Sequence, residues 1–312
     1  GIYLATCYTP KELMRLLIWL FSIYTVINLI VPLIIPSYGI YGGWRGISNY
    51  KNSLAATMVM AAMLFLDMHF YGRRYRWCAL IGASIAFVIL MLSKGRGSLG
   101  IFIGLLPLLP FYKIVKQEYK LKMLLGICAI FICGIIVLTA STNLEFIVVN
   151  LLGKQMDLTG RAPLWEYLID KGLERPWFGY GYAGFWTDPT ESLGVALRFS
   201  WIEGVGEGGG NSHSSYIEAF LQLGWLGLSL TLLSLLMVLI RIVLLLGLTK
   251  QIEFFWMLQF LLLVIIISYS DSMGFLDYRN FFWVLYVSTA YSSAIHLNRI
   301  FKNCNKIANF QT

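Results

Sequence analysis

Three stretches of this chain, Leu16 to Ile35, Met123 to Leu144 and Ala219 to Ile240, each run for at least 20 residues without a charged side chain. As helices they are long enough to cross the roughly 30 Å hydrocarbon core of a bilayer. Inside lipid every backbone polar group must be satisfied within the protein, so such runs are read as helices or closed barrels. The barrel is excluded because the runs are continuously apolar, without the alternation of lipid-facing and lumen-facing side chains.

Five shorter uncharged runs are ambiguous by length alone: Asn52 to Leu66, Trp77 to Leu92, Gly97 to Tyr112, Phe254 to Ser270 and Phe281 to Ile295. Composition decides how to read them. The chain is 58% hydrophobic and 13% charged, with a mean hydropathy of +0.71, far from the balance of a soluble domain. The sequence therefore predicts an all-α, polytopic membrane protein with about eight transmembrane helices.

The net charge of +8 does not point to nucleic acid, because cytoplasmic loops of membrane proteins are enriched in Lys and Arg. If eight helices alternate, one side receives Lys11, Arg15, Arg73, Arg74, Arg76, Lys113, Lys116, Lys120, Lys122, Arg241, Lys250, Arg299, Lys302 and Lys306. That side is assigned to the cytoplasm. The other side receives residues 36–52, 93–97, 145–214 and 271–280, where ten Lys and Arg residues are matched by about as many Asp and Glu. Three regions follow: helices one to five in 1–144, a large extracytoplasmic loop in 145–214 with short helices, and helices six to eight with a cytoplasmic tail in 215–312.

Cys7, Cys78, Cys128, Cys133 and Cys304 are odd in number and lie mostly in or near apolar runs, which suits neither a disulfide framework nor a zinc site. The chain opens on Gly1 with no signal-peptide pattern, so its natural start, and helices upstream of it, are expected to be missing.

Chemistry in water belongs to the 145–214 loop. Thr159 is placed to cap a short helix with Pro163 in its first turn, with Trp165, Leu168, Ile169 and Leu173 at helical spacing and an end near Gly172 or Pro176. Gly179, Gly181 and Gly184 match a dinucleotide fingerprint but follow no strand, so a tight turn at the membrane surface is the better reading. Gly204 to Gly210 reads as a mobile loop, and no acidic pair or His/Cys cluster has metal-ligand spacing, so neither cofactor nor metal is expected.

Cations on the outer face are more telling. Lys51 stands at the mouth of the second helix, Lys94 and Arg96 lie in a turn too tight for anything but a hairpin, and Arg161 follows Thr-Gly at the start of the loop helix. Each has a plainer reading as well: a snorkelling lysine, a turn anchored to lipid phosphates, a solvated first-turn residue. Arg161 resists the plain reading, since a cation at a helix N-terminus is unfavourable unless an anion joins it. His213, one of three histidines, follows the glycine run, where it is either a general base or a loop residue beside a helix cap.

The segments "GWRGISNYKN", "LSKGRGSLGIF", "LTGRAPLW", "RPWFGYGYAGF" and "NSHSSYIEAFLQLGWLGL", in this order between Gly43 and Leu228, resemble the bacterial O-antigen ligase and polysaccharide polymerase family. The resemblance implies a GT-C-like glycosyltransferase in the bacterial inner membrane with its active site facing the periplasm. It would take an undecaprenyl-diphosphate-linked glycan as donor and lipid A-core or a growing glycan as acceptor, among membrane lipids and without nucleic acid. By motif, Lys51, Arg96 and Arg161 would hold the diphosphate, with Lys94 an alternative to Arg96, and His213 would activate the acceptor hydroxyl.

Direct displacement inverts the anomeric centre. A retaining route would need a carboxylate nucleophile, for which Glu207, Glu218 and Asp271 are the candidates. A different class, a transporter or flippase of lipid-linked oligosaccharides, would more often show internal repeats and broken midplane helices. No repeat is visible in the sequence.

Overall fold

A computed structural model of the chain describes residues 1–40, 42–72, 75–116, 161–199, 202, 210–271 and 280–310. These residues are almost wholly helical, with one isolated antiparallel bridge between Ile40 and Trp44. The helices are α1 (Ile2–Cys7), α2 (Pro10–Ile34), α3 (Pro36–Gly39), α4 (Lys51–Tyr71), α5 (Arg76–Leu92), α6 (Arg96–Leu105) and α7 (Leu108–Lys116). They continue as α8 (Arg161–Glu174), α9 (Gly184–Thr187), α10 (Pro189–Arg198), α11 (Ser215–Thr249), α12 (Ile252–Ser270) and α13 (Phe281–Phe310).

Among the described residues, α2, α4, α11 and α12 are long and apolar enough to cross a membrane, and α5 is a shorter apolar helix of 17 residues. They coincide with five of the eight expected runs. The run from Met123 to Leu144, together with Arg73, Arg74, Lys120, Lys122, Thr159 and Glu207, lies outside the described residues.

Two runs differ from expectation. Gly97 to Tyr112 is broken into α6 and α7 at Pro107, which has no N–H and clashes with the preceding turn; Leu109 N instead reaches Leu106 O at 3.0 Å. The run from Phe281 to Ile295 is only the first half of the 30-residue α13, because no Gly or Pro interrupts the sequence before Phe310.

The chain divides into two compact units. The first takes Gly1–Ile132, Val238–Ile267 and Leu285–Thr312. Its α2 starts with a reciprocal cap: Thr9 Oγ1 accepts from Glu12 N at 3.3 Å, and Glu12 Oε2 accepts from Thr9 N at 2.8 Å. Helix α4 packs against α2, α5 and α6, and every residue from Leu54 to Phe65 is buried, as befits a helix that is apolar all round. Its one deep charge-bearing side chain, Asp67, accepts from Gln259 Nε2 of α12 at 3.2 Å.

The second unit takes Cys133–Met237 and Ser268–Val284, around a core of Leu164, Leu168, Phe185, Trp186, Val195, Ile202 and Leu221. Helix α8 forms where the sequence places it, but of Trp165, Leu168, Ile169 and Leu173 only Leu168 is buried, and Leu164 and Gly172 complete the buried face. Ile169 and Leu173 are exposed and Trp165 is half-buried. The helix carries apolar residues on two adjacent faces, and the one at i, i+4, i+8 wins because Phe220 closes onto Gly172.

Helix α11 is broken at Gly224, with φ +66° and ψ −165°, and residues 176–181 fill the break. Tyr180 N and Gly181 N donate to Leu221 O and Gln222 O at 3.0 and 2.8 Å, while Trp225 N donates to Pro176 O at 2.7 Å. The Leu221 and Gln222 carbonyls and the Trp225 N–H thus find partners across the break, which an apolar helix requires. A Cβ at Gly224 would stand 2.3 Å from the Trp177 carbonyl carbon, so glycine is dictated by contact as well as by dihedral. Gly179 (φ +65°) and Gly181 (φ +88°) take the tight turn expected of them.

Candidate functional site

In the second unit, Arg161 is the first residue of α8 and donates from Nη1 to the carbonyl of Ser270 at the end of α12. The last carbonyls of a helix have no partner within it, and here they are met from outside. Ser214 Oγ reaches Ser268 O at 3.4 Å and Ser215 Oγ reaches Asp271 O at 3.0 Å. The cation thus gains at the C-terminal end of α12 what it loses at the N-terminal end of α8. A guanidinium carries several N–H donors in a planar fork, so the bond to Ser270 does not exhaust its capacity for an anion.

His213 sits just before α11 in the left-handed region, at φ +51°, unusual for a residue with a Cβ. The turn around it is tied at every step. Asn211 Oδ1 accepts from His213 N at 3.0 Å, and Ser212 Oγ donates to Ser214 O at 2.7 Å. Ser212 N donates to Glu218 Oε2 at 3.0 Å, and Ser212 O accepts from Trp165 Nε1 at 2.8 Å.

Glu218 is buried, and both carboxylate oxygens are engaged: Oε1 accepts from Trp186 Nε1 and from Gln222 Nε2, each at 2.6 Å, and Oε2 holds Ser212. It lies in the first turn of α11, where a negative charge is favoured. Both oxygens are thus occupied by donors within the protein. Asp271 contributes its backbone carbonyl to Ser215, and Glu207 lies outside the described residues.

The electrostatics tie His213 to Arg161. Burial first, and the Arg161 guanidinium second, pull the imidazole pKa down from its ordinary 6.5 to about 4. His213 is therefore neutral at neutral pH and holds a lone pair for a proton.

Lys51 and Arg96 stand in the first unit, where one loop touches Lys51 and the end of the helix that leads to Arg96. Lys51 opens α4 and donates from Nζ to Gly42 O at 3.0 Å. Gly43, at φ +148°, is wedged so tightly that an added Cβ would lie 3.4 Å from Lys51 Cδ and 2.8 Å from Ser93 O. Trp44 N completes the docking by donating to Leu92 O at 3.1 Å. The loop is pinned from its other side by Asn28 of α2, whose Oδ1 accepts from Ile47 N at 2.9 Å. Ser93 leads through Lys94, at φ +57°, to Arg96, the first residue of α6, and both cations are exposed. The turn thus offers both Lys94 and Arg96, and its geometry does not choose between them.

Sequence reading missed Trp165 and Glu218 as holders of the histidine turn. A glutamate in the first turn of a helix that follows Ser-His-Ser-Ser is a readable capping signal. Trp165 had none, because its partner lies 47 positions on.

Residues 81–232 match the O-antigen ligase family. The resemblance to the O-antigen ligase family spans this stretch of the chain. The matched region contains Arg96, Arg161, His213 and Glu218, and Lys51 precedes it. No curated protein matches the chain. Its apolar helices, together with the stretch similar to O-antigen ligases, make it a multi-pass membrane protein.

Proposed function

We propose that this chain is a membrane glycosyltransferase that moves a glycan from an undecaprenyl-diphosphate carrier to an acceptor hydroxyl, at the periplasmic face of the bacterial inner membrane. The acceptor is lipid A-core for a ligase, or a growing glycan for a polymerase. In this reading residues 145–214 form the periplasmic loop of a GT-C-like enzyme, flanked by membrane regions in 1–144 and 215–312.

The observation that carries the reading is a neutral, half-buried His213 under the influence of Arg161 inside the matched stretch. The acceptor oxygen attacks the anomeric carbon as the bond to the diphosphate oxygen breaks, and His213 takes the hydroxyl proton. Charge gathers on the leaving diphosphate, and Arg161 stabilises it without a metal. Diphosphate bound at Arg161 also cancels part of the pull that depresses His213, raising its basicity when substrate is present. Lys51 and Arg96 are proposed as diphosphate-binding residues on the strength of the sequence pattern. Single displacement with inversion is favoured by the engagement of both Glu218 oxygens.

The test supplies purified protein with an undecaprenyl-diphosphate-linked glycan and either lipid A-core or a second glycan chain. A longer glycan or a lipid A-core conjugate is expected, with the opposite anomeric configuration. Intact glycan donor in both arms overturns the proposal.

A further inference from the structure

We propose that Glu218 is the positioning residue for His213, holding the peptide that precedes it through Ser212. The proposal rests on the reading of His213 as the general base.

Three observations carry it. His213 occupies a left-handed conformation that residues with a Cβ adopt uncommonly, and neighbouring bonds hold it there. The Ser212 peptide is gripped from both sides: its N–H by Glu218 and its C=O by Trp165. Finally, Glu218 is itself locked, since Trp186 and Gln222 both donate to its other oxygen and Gln222 is anchored in turn by Ala183 N at 3.1 Å. Trp186 belongs to the buried core of the second unit. The carboxylate therefore transmits the rigidity of that core to the one turn that carries the base.

A carboxylate is the group this position needs. Oε2 faces a backbone N–H and Oε1 faces two further N–H donors, so all contacts require an acceptor. Glutamine has the same shape, but with its oxygen kept towards Trp186 and Gln222 its NH₂ would confront the Ser212 N–H, donor against donor. Glu218→Gln thus releases the histidine turn while leaving the core side of the contact in place. Trp165→Phe releases the carbonyl side and keeps an aromatic ring against Tyr269, whose centroid lies 5.4 Å from that of Trp165.

The experiment is a rate cycle on the purified full chain, with the undecaprenyl-diphosphate-linked glycan and the acceptor that the parent uses. Glu218→Gln should lower kcat on the order of 10²-fold, the scale of a small misplacement of a reacting group, while KM for the glycan donor stays within about twofold. The same substitution placed on His213→Ala should cost almost nothing further, because its effect passes through the missing imidazole. Glu218→Gln at the parental rate, or an equal loss in both backgrounds, overturns the positioning role. If Glu218→Gln does not yield folded protein, Trp165→Phe is put through the same cycle and the same two outcomes decide. His213→Ala at the parental rate refutes the general base itself, a failure separate from that of Glu218.

Discussion

Trp165 and Ser212, 47 positions apart in the chain, are joined by a 2.8 Å hydrogen bond from the indole nitrogen to the carbonyl oxygen. Trp165 lies one helical turn after Arg161, and Ser212 immediately precedes His213. This bond ties the first turn of the helix that Arg161 opens to the turn that carries His213, and Arg161 acts on the imidazole.

That coupling predicts a pH dependence. With the His213 pKa lowered to about 4, the imidazole is neutral above that value and kcat/KM should fall only as pH drops through it. Arg161→Gln removes the lesser of the two depressing causes, so the acid limb should move upward yet stay below 6.5 because burial remains. A limb that does not move shows that the two residues are uncoupled. The same shift contributes to stability: the folded state resists protonation, so the contribution of His213 is complete above about pH 6.5 and is lost as pH falls towards about 4.

His213→Ala should lose roughly 10² to 10⁴ in transfer rate, the range for a positioned acid-base group, with folded yield near normal. Binding of the glycan donor should persist. Parental transfer by a folded variant that binds the glycan donor removes His213 from the chemistry.

Alanine at Arg161 or Arg96 should weaken use of the glycan donor more than lysine does, though lysine still loses the bidentate grip on phosphate. Michaelis constants for the glycan donor measure this directly. Normal values for both alanine variants reduce the arginines to a helix cap and a lipid anchor.

Transfer should continue in EDTA, since the diphosphate charge is assigned to side chains. Activity that stops with the chelator and returns with Mg²⁺ or Mn²⁺ reassigns that charge to an ion.

Gly224→Ala should destabilise the second unit by roughly 1–3 kcal/mol, because the new methyl meets Trp177 at a backbone conformation only glycine adopts freely. Thermal unfolding measures the loss. An unchanged midpoint means that α11 straightens and the 176–181 segment lets go.

By itself the sequence determined the solvent of this protein and most of its helices. Runs such as Leu16 to Ile35 and Ala219 to Ile240 leave the backbone one way to satisfy its polar groups in lipid, so local composition suffices. It also determined the residue types of the candidate site, because Arg161 at a helix start and His213 after a glycine run are local facts. Only the tertiary structure decided which face of α8 is buried, that Pro107 divides one apolar run, and that Glu218 and Trp165 hold the histidine turn. Each of these depends on a partner far along the chain or on competition between two acceptable local arrangements. Periodicity records that a helix has an apolar face; which neighbour covers it, and which distant carbonyl an indole finds, is settled only when the elements pack.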